Sequence, residues 1–186
     1  MRIISGKFKG KKINLPMDKT TRPLRDLVKE ALFNVIEHSN KVNINLKNSV
    51  VLDLFSGSGS FGLEAISRGA KKCLFVENYP SAILSLNKNI KNLKCQEITH
   101  ISQSDCFKFI EDLRKDELKL DIIFLDPPYK NERLNFLIEK ILKKNILNKD
   151  GIIIVHRHKK DDIELTKKLN IIELRLYGIS KIIFAN

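Results

Sequence analysis

A glycine-rich stretch, DLFSGSGSFG at residues 53–62, has the spacing of a loop that binds a nucleotide-like cofactor. Its glycines, Gly57, Gly59 and Gly62, match the pattern G-x-G-x-x-G. In this pattern the first two glycines permit a tight turn and a close approach of a ligand to the backbone, and the third suits helix–strand packing. The glycines alone do not distinguish NAD from another adenosine-containing cofactor.

Asp53, just upstream of the glycines, favours a cofactor without phosphates. NAD would place its pyrophosphate against this loop and the N-terminus of the next helix. At a separation of about 4 Å and an effective dielectric constant of 20, two like charges repel by roughly 4 kcal/mol. S-adenosylmethionine (SAM) has no phosphate, and its sulfonium and ammonium groups would face the acid favourably. The sequence therefore predicts SAM as the cofactor.

Further acids and a thiol extend the predicted cofactor site. Glu77 and its neighbour Asn78 stand about 20 residues beyond the glycines, where an acid accepts hydrogen bonds from ribose hydroxyls in either cofactor class. Asp105 is placed to reach the adenine amine, with Cys106 beside it. The alternatives are a helix N-cap for Asp105 and core filling for Cys106.

The stretch DPPY at residues 126–129 predicts the second substrate. Asp126 ends an apolar run, and Pro127 and Pro128 fix φ and lack backbone donors, which leaves carbonyl oxygens free to accept from a ligand. The exocyclic amine of a nucleobase would donate to Asp126 and to the Pro127 carbonyl, while Tyr129 stacks on the base for about 1–3 kcal/mol. The alternative is a turn in which Asp126 caps a helix.

A β/α alternation positions both motifs. Apolar strands that alternate with helices predict a parallel sheet covered on both faces. The last connection, at Tyr177 and Gly178, is too short for a crossover, so the final strand must run antiparallel. The pattern is that of a Rossmann-like class I SAM-dependent methyltransferase fold, in which ligands bind at the carboxyl ends of the strands. The predicted strands are residues 50–55, 72–77, 98–102, 120–126, 151–158, 171–178 and 179–186, and the last predicted helix is 161–169.

The first block of the chain differs from the rest. Residues 1–47 predict a small basic hairpin and a helix that begins between residues 23 and 26, ahead of a methyltransferase domain at 48–186. The chain of 186 residues has a net charge of +12, which favours a nucleic-acid partner, although an AT-biased genome would also enrich lysine. The predicted RNA contacts are Lys7, Lys9, Lys11, Lys12, Arg22 and Arg25, with a solvated hairpin and surface salt bridges as alternatives.

The remaining composition points to the cytoplasm. Cys73, Cys95 and Cys106 are odd in number and lack a C-x-x-C spacing, so we expect reduced thiols. The basic N-terminus has no apolar run, and no stretch approaches the ~20 apolar residues that span a bilayer. We expect no metal site at His156 and His158, which lie two apart on a strand. A monomer is the simplest expectation.

The motifs together resemble the RsmD family, which methylates guanine N2 in bacterial 16S ribosomal RNA. The stretches that carry the resemblance are MRIISGKFKG, TRPLRDLVKEALFN, DLFSGSGSFGLEAISRGA, FLDPPY and YGISKIIF, and they span nearly the whole chain. The resemblance implies that Asp53, Phe55, Gly57 and Gly59 hold the methionine side of SAM, that Glu77 holds the ribose, and that residues 126–129 receive the guanine. It also implies 16S RNA, in the 30S subunit or an assembly intermediate, as partner of the N-terminal block.

Two departures from the family pattern concern single positions. Leu24 and Leu27 stand where the family usually has Thr and Arg, which weakens any RNA contact assigned there. His156 stands where a Glu is expected, and the sequence assigns that strand end no role.

Three other functions are compatible with parts of the pattern. A DNA adenine-N6 methyltransferase shares DPPY, but such enzymes usually carry a sizeable target-recognition insertion. An NAD-type oxidoreductase shares the glycine pattern, and the charge of Asp53 opposes it. A non-catalytic ribosome-assembly factor that retains SAM binding is the third.

Overall fold

The computed structural model describes residues 1–18, 24–114, 118–128, 133–161 and 165–186. Within these ranges it contains five α-helices and one seven-stranded sheet. The helices are α1 Asp26–His38, α2 Ser60–Ser67, α3 Pro80–Leu93, α4 Cys106–Asp112 and α5 Leu134–Lys144. The strands are β1 Val50–Leu54, β2 Lys72–Glu77, β3 Thr99–Gln103, β4 Leu120–Leu125, β5 Leu147–His158, β6 Ile171–Tyr177 and β7 Ser180–Ala185.

The strand order is β3-β2-β1-β4-β5-β7-β6. The first five strands pair in parallel, and β7 runs antiparallel between β5 and β6. Only Gly178 and Ile179 separate β6 from β7, and Gly178 has φ of 59°, which is suited to a tight reversal. The predicted class I methyltransferase topology, including its antiparallel last strand, is confirmed.

Two apolar cores cover the two faces of the sheet. Successive residues of β4 alternate between them: Ile122 and Phe124 belong to one core, and Ile123 and Leu125 to the other. This alternation follows from the two-residue period of a strand. Phe124 stacks on Phe61 of α2 with ring centroids 4.0 Å apart. The apolar strands are thus buried on both faces, as in other parallel sheets.

The N-terminal segment folds back on itself and packs against α2. A single antiparallel bridge joins Arg2 and Lys12, and a short 3-10 turn, Gly6–Phe8, makes the return. The predicted hairpin is therefore two segments held by one bridge and a few hydrogen bonds. The backbone N–H groups of Ile4 and Ser5 donate to the Glu64 carboxylate of α2.

The helix predicted at residues 161–169 is absent from its described part, which comprises Asp161 and residues 165–169. Thr166 is held by α5: its N–H donates to Asn135 Oδ1 at 3.0 Å and its hydroxyl donates to Glu139 Oε1 at 3.1 Å. The Asp161 carboxylate accepts from the Arg157 guanidinium, four residues earlier in the chain. The contacts of Thr166 with α5 hold this part of the chain in a non-helical conformation.

Two further features concern burial and thiols. Leu27 is 71% exposed although it falls within the apolar period of α1, whereas Leu24 just before the helix is buried. All three cysteines are free thiols in the interior, as predicted.

Across the described ranges, no helix is long and apolar enough to cross a membrane.

Candidate active site

One cleft of about 990 Å³ opens at the carboxyl ends of the central strands. The loop after β1 forms one wall, and the ends of β2, β4 and β5 form the floor. The start of α1 and the start of β7 complete the rim through Arg25 and Ser180. The cleft thus brings together Asp53, Glu77 and Asp126, which are far apart in the sequence.

The glycine loop has the backbone that its sequence predicts. Gly57 and Gly59 have φ of 54° and 83°, in the left-handed region that other residues rarely adopt. A Cβ at Gly59 would lie 2.5 Å from Leu86 Cδ1, whereas a Cβ at Gly57 would meet no atom within 4 Å. Gly57 lines the cleft, so its missing side chain leaves room for a ligand beside the backbone.

Gly62 has a packing role. A Cβ there would lie 2.4 Å from Phe75 Cε1 and 2.5 Å from Cys73 Sγ, both on β2. The third glycine therefore lets α2 lie close against the neighbouring strand, as the pattern predicts.

Asp53 joins the end of β1 to the first turn of α2. Its Oδ2 accepts the Gly62 N–H at 2.9 Å, and the residue is 1% exposed. Burial raises the pKa of Asp53 well above its usual range, the Gly62 N–H opposes this shift, and the nearby Asp126 and Glu77 carboxylates add to it. A protonated Asp53 would repel a pyrophosphate less than an ionised Asp53 would.

The hydrogen bond between Asp53 and Gly62 disfavours a pyrophosphate whether or not Asp53 is ionised. A phosphate at a helix N-terminus binds the free N–H groups of the first turn. At α2 the carboxylate of Asp53 already occupies the Gly62 N–H. A pyrophosphate would compete with Asp53 for this N–H, whereas a cation beside Asp53 would not.

Glu77 is held by three backbone donors. Its Oε2 accepts from Gly57 at 2.7 Å, and its Oε1 accepts from Asn78 and Tyr79, each at 2.9 Å. A carboxylate offers about four lone-pair sites, so one remains for a hydroxyl donor. Glu77 and Asn78 both line the cleft. The contact to Gly57 fixes the glycine loop and the predicted ribose acceptor relative to one another.

Asp105 and Cys106 are not among the residues that line the cleft. Asp105 is the N-cap of α4, and its Oδ1 accepts from Phe107 and Lys108 at 2.9 and 3.2 Å. Cys106 is buried in the core, and burial raises the pKa of its thiol. Both residues therefore have the structural roles weighed as alternatives, and a contact with adenine stays a prediction.

The DPP turn is anchored from the neighbouring strand. Arg157 on β5 is 2% exposed and donates to the Pro128 carbonyl at 3.1 Å and, at the limit of hydrogen-bond length, to the Pro127 carbonyl at 3.5 Å. The Pro127 oxygen thus keeps acceptor capacity toward the cleft. Asp126, Pro127 and Pro128 line the cleft, and Tyr129 lies outside the described residues.

His156 is a site residue that the sequence analysis missed. Its Nδ1 lies 2.8 Å from Asp126 Oδ1, and its Nε2 lies 2.9 Å from Ser180 Oγ. Leu125 pairs with Val155, so Asp126 and His156 follow paired residues at the ends of adjacent parallel strands. This register is the signal that identifies His156: a titratable residue at the end of the strand beside Asp126.

The predicted RNA contacts fall on the surface. Lys7, Lys9, Lys11 and Lys12 are exposed on the N-terminal segment, and Arg25 is exposed at the rim of the cleft. Arg22 lies outside the described residues.

The cleft fits SAM by its open space and its acceptor groups. It offers carboxylates to a cationic ligand, one free acceptor site on Glu77, and open space at Gly57. Within the described ranges, no cluster of His, Cys, Asp and Glu side chains is arranged to hold a metal ion.

Comparisons with known proteins agree with this architecture. The family described as conserved hypothetical protein 95 matches residues 1–186. Ribosomal RNA small subunit methyltransferase D of Buchnera aphidicola subsp. Baizongia pistaciae is 35% identical over 157 residues, which cover 84% of this chain and 76% of that relative. The solved structure of the yhhF protein of Escherichia coli aligns with a TM-score of 0.83 at 25% identity, covering 100% of this chain and 96% of that one. An RNA methyltransferase from Salinibacter ruber, solved with S-adenosyl-L-homocysteine, shares the fold with a TM-score of 0.65 at 15% identity, covering 88% and 92%.

Proposed function

Because the chain belongs to the RsmD family, we propose that it methylates the N2 amine of a guanine in the 16S ribosomal RNA of the small ribosomal subunit. The observation that carries the proposal is the placement of Asp126, Pro127 and Pro128 in the same cleft as the glycine loop and Glu77. A base amine and a methyl donor bound in that cleft would adjoin one another.

SAM is the cofactor of this reaction, and when bound it supplies a methyl group on a positively charged sulfur. Asp53, Phe55 and Gly57 would hold its methionine side, since they line one wall of the cleft. Gly59 is not among the lining residues, and with its φ of 83° it would shape the same loop. Glu77 would accept from its ribose, with Asn78 beside it. Asp105 and Cys106, at the start of α4, would lie toward the adenine.

Asp126 and the Pro127 carbonyl would orient the amine. Asp126 Oδ1 is engaged by His156, so Oδ2 is the oxygen available to the substrate. Bonds from the amine N–H groups to Oδ2 and to the Pro127 oxygen would turn the nitrogen lone pair toward the methyl group. The nitrogen would become cationic as the bond from sulfur to the methyl group breaks, and its proton would pass readily to Asp126 Oδ2 or to water, so Asp126 need not be a strong base. The protein contributes mainly by positioning and by electrostatic stabilisation.

The RNA would lie along the basic N-terminal segment. Lys7, Lys9, Lys11 and Lys12 are exposed there, and the same chain leads through Arg25 to the rim of the cleft. We propose residues 1–47 as the RNA-contacting part and residues 48–186 as the methyltransferase domain. Arg22 belongs to the same proposed RNA contact, and Tyr129 to the proposed stack on the base.

A label-transfer experiment tests the proposal. Purified protein and methyl-tritiated SAM are incubated in three separate reactions. These contain 30S subunits from cells that lack the gene, naked 16S RNA, or DNA. We expect label in the RNA and none in the DNA. Label confined to DNA would identify a DNA methyltransferase. SAM binding without transfer to any of the three would identify an assembly factor.

A further inference from the structure

We infer that His156 is a positioning residue, which donates a hydrogen bond from Nδ1 to Asp126 and thereby presents the second carboxylate oxygen to the substrate amine. The contact of 2.8 Å between Nδ1 and Oδ1 carries this inference. It goes beyond the family resemblance, which assigns position 156 no role in this chain. Its functional consequence rests on the proposed methyl transfer, but the hydrogen bond can be tested without it.

The partners of the imidazole determine its tautomer. A carboxylate oxygen of Asp126 has no proton to donate, so Nδ1 must carry the shared proton. In the neutral ring, Nε2 is then the acceptor, and the Ser180 hydroxyl donates to it at 2.9 Å. Ser180 thus favours the tautomer that Asp126 requires. His156 is 7% exposed, so water does not readily replace either partner.

The imidazole restricts the rotation of the Asp126 side chain. Asp126 follows the last residue of β4, where its carboxyl group would otherwise turn freely toward solvent in the open cleft. With Oδ1 held by β5 through His156, Oδ2 is directed to the remaining space. Arg157, the next residue on β5, anchors the Pro127 and Pro128 carbonyls. Two consecutive residues of one strand therefore fix both acceptors that the amine would use.

The arrangement makes His156 an unsuitable proton acceptor from Asp126. The ring nitrogen that faces the carboxylate is already protonated, and only Nε2, on the side of Ser180, could take another proton. Other titratable groups around the site are Arg157 with its partner Asp161, the carboxyl groups of Asp53 and Glu77, and Arg25 at the rim. The positioning role needs no change in the charge of His156.

Nitrogen-15 NMR on the full-length protein tests the tautomer directly. The chain has four histidines, and His38 and His100 are exposed, so the buried ring is recognised by its absence from a His156→Asn variant. We expect His156 to be protonated at Nδ1 and unprotonated at Nε2 at pH 8. The Nε2–H tautomer would overturn the inference, and so would rapid exchange between both tautomers in the wild type. Ser180→Ala should increase the Nε2–H population.

Substitutions then test the functional consequence. The Asn side chain in His156→Asn places an N–H donor near the position of Nδ1, whereas His156→Leu has similar bulk and no donor. We expect His156→Leu to lower kcat by about 10- to 100-fold, the range for residues that orient metal-ligating side chains through a similar hydrogen bond. KM for SAM should change little, and His156→Asn should recover most of kcat. If both variants keep the Tm of the wild type and have equal kcat values, the positioning role is contradicted. If the protein proves to methylate a different amine, the same comparison is made on that substrate, and the NMR result stands in any case.

Discussion

The carboxylate of Asp53 accepts the backbone N–H of Gly62 at 2.9 Å, which joins the end of β1 to the first turn of α2. The same carboxylate is buried, and its pKa is raised well above the usual range mainly by that burial. Burial therefore favours the protonated form of Asp53 until a cation binds beside it. The ionisation of Asp53 is therefore coupled to the ligand in the cleft.

This coupling predicts that SAM affinity depends on pH. A bound cation lowers the pKa of Asp53, so binding releases a proton wherever the free protein holds one. Affinity should therefore fall as pH falls through the raised pKa of the free form, and level off above it. Calorimetry between pH 5 and 8 measures both the affinity and the proton release. Asp53→Asn should bind more weakly and lack this component, whereas an identical pH profile for variant and wild type would contradict the assignment.

The same substitution should stabilise the unliganded protein. Because the folded-state pKa is raised, the contribution of Asp53 to stability is fully present below its unfolded pKa and is lost as pH rises through the folded pKa. At pH 8, far above the unfolded pKa, burying Asp53 therefore costs folding free energy, either through uptake of a proton or through burial of its charge. Asp53→Asn keeps an acceptor for the Gly62 N–H and should unfold at a higher temperature than the wild type at pH 8, with a smaller difference at pH 4. A lower Tm for the variant at pH 8 would refute this.

Gly57→Ala should weaken SAM binding without unfolding the protein. Its Cβ would meet no protein atom within 4 Å but would enter the cleft, and its left-handed φ of 54° costs an L-residue about 1–2 kcal/mol. Gly10→Ala is the matched control, because Gly10 has φ of 82°, equally open surroundings and no place in the cleft. Both variants should lose similar stability in urea. Only Gly57→Ala should lose SAM affinity, by at least about tenfold or 1.4 kcal/mol; equal affinities would argue against a cofactor at this loop.

Glu64 on α2 should be the main attachment of the N-terminal segment. It is fully buried, accepts from Ile4 and Ser5 at 2.8 and 2.9 Å, and pairs with Lys29 and Arg68. Burial lowers the pKa of Lys29, and Glu64 opposes that shift. Glu64→Ala leaves buried donors without their acceptor and should cost about 3–5 kcal/mol of unfolding free energy.

Glu37 provides the control for this cluster, because its carboxylate pairs with Arg68 at 2.7 Å but its side chain is 28% exposed. Glu37→Ala should cost no more than about 1 kcal/mol. Chemical denaturation measures both variants. Similar losses for the two would mean that the buried cluster does not hold the segment.

The four N-terminal lysines should contribute to RNA affinity by neutralising phosphates. Changing Lys7, Lys9, Lys11 and Lys12 to Gln should weaken binding to 16S RNA and make log K less dependent on log salt, by about 0.7–0.9 for each phosphate that is no longer neutralised. The control variant changes Lys71, Lys72, Lys91 and Lys94 to Gln. These four lysines are also exposed, and their substitution removes the same amount of positive charge. Binding titrations from about 50 to 300 mM salt compare the two sets. An equal decrease in affinity for both sets would show a general charge effect instead of a specific RNA-binding surface.

The fold was predictable because its signals are local. Apolar strands alternate with helices, and the short link at Gly178 and Ile179 forces the last strand to reverse. The helix predicted at 161–169 was wrong in its described part because Thr166 bonds with Asn135 of α5, 31 residues away, which no local pattern reveals.

The candidate site was predictable only in part. Asp53, Glu77 and Asp126 end predicted strands, and the carboxyl ends of parallel strands meet at one edge of the sheet. The partnership of His156 with Asp126 spans 30 residues and depends on the register between β4 and β5. The ionisation of Asp53 depends on how deeply the fold buries it, which the sequence does not give.

The identity of the methylated nucleoside tests the proposed function most directly. Small subunits from cells that lack the gene are incubated with the protein and SAM, and their RNA is digested to nucleosides for mass spectrometry. The proposal predicts that N2-methylguanosine increases by one residue per 16S molecule, and that Asp126→Ala, which retains SAM binding, abolishes the increase. Formation of N6-methyladenosine or another methylated nucleoside instead, with N2-methylguanosine unchanged, would contradict it.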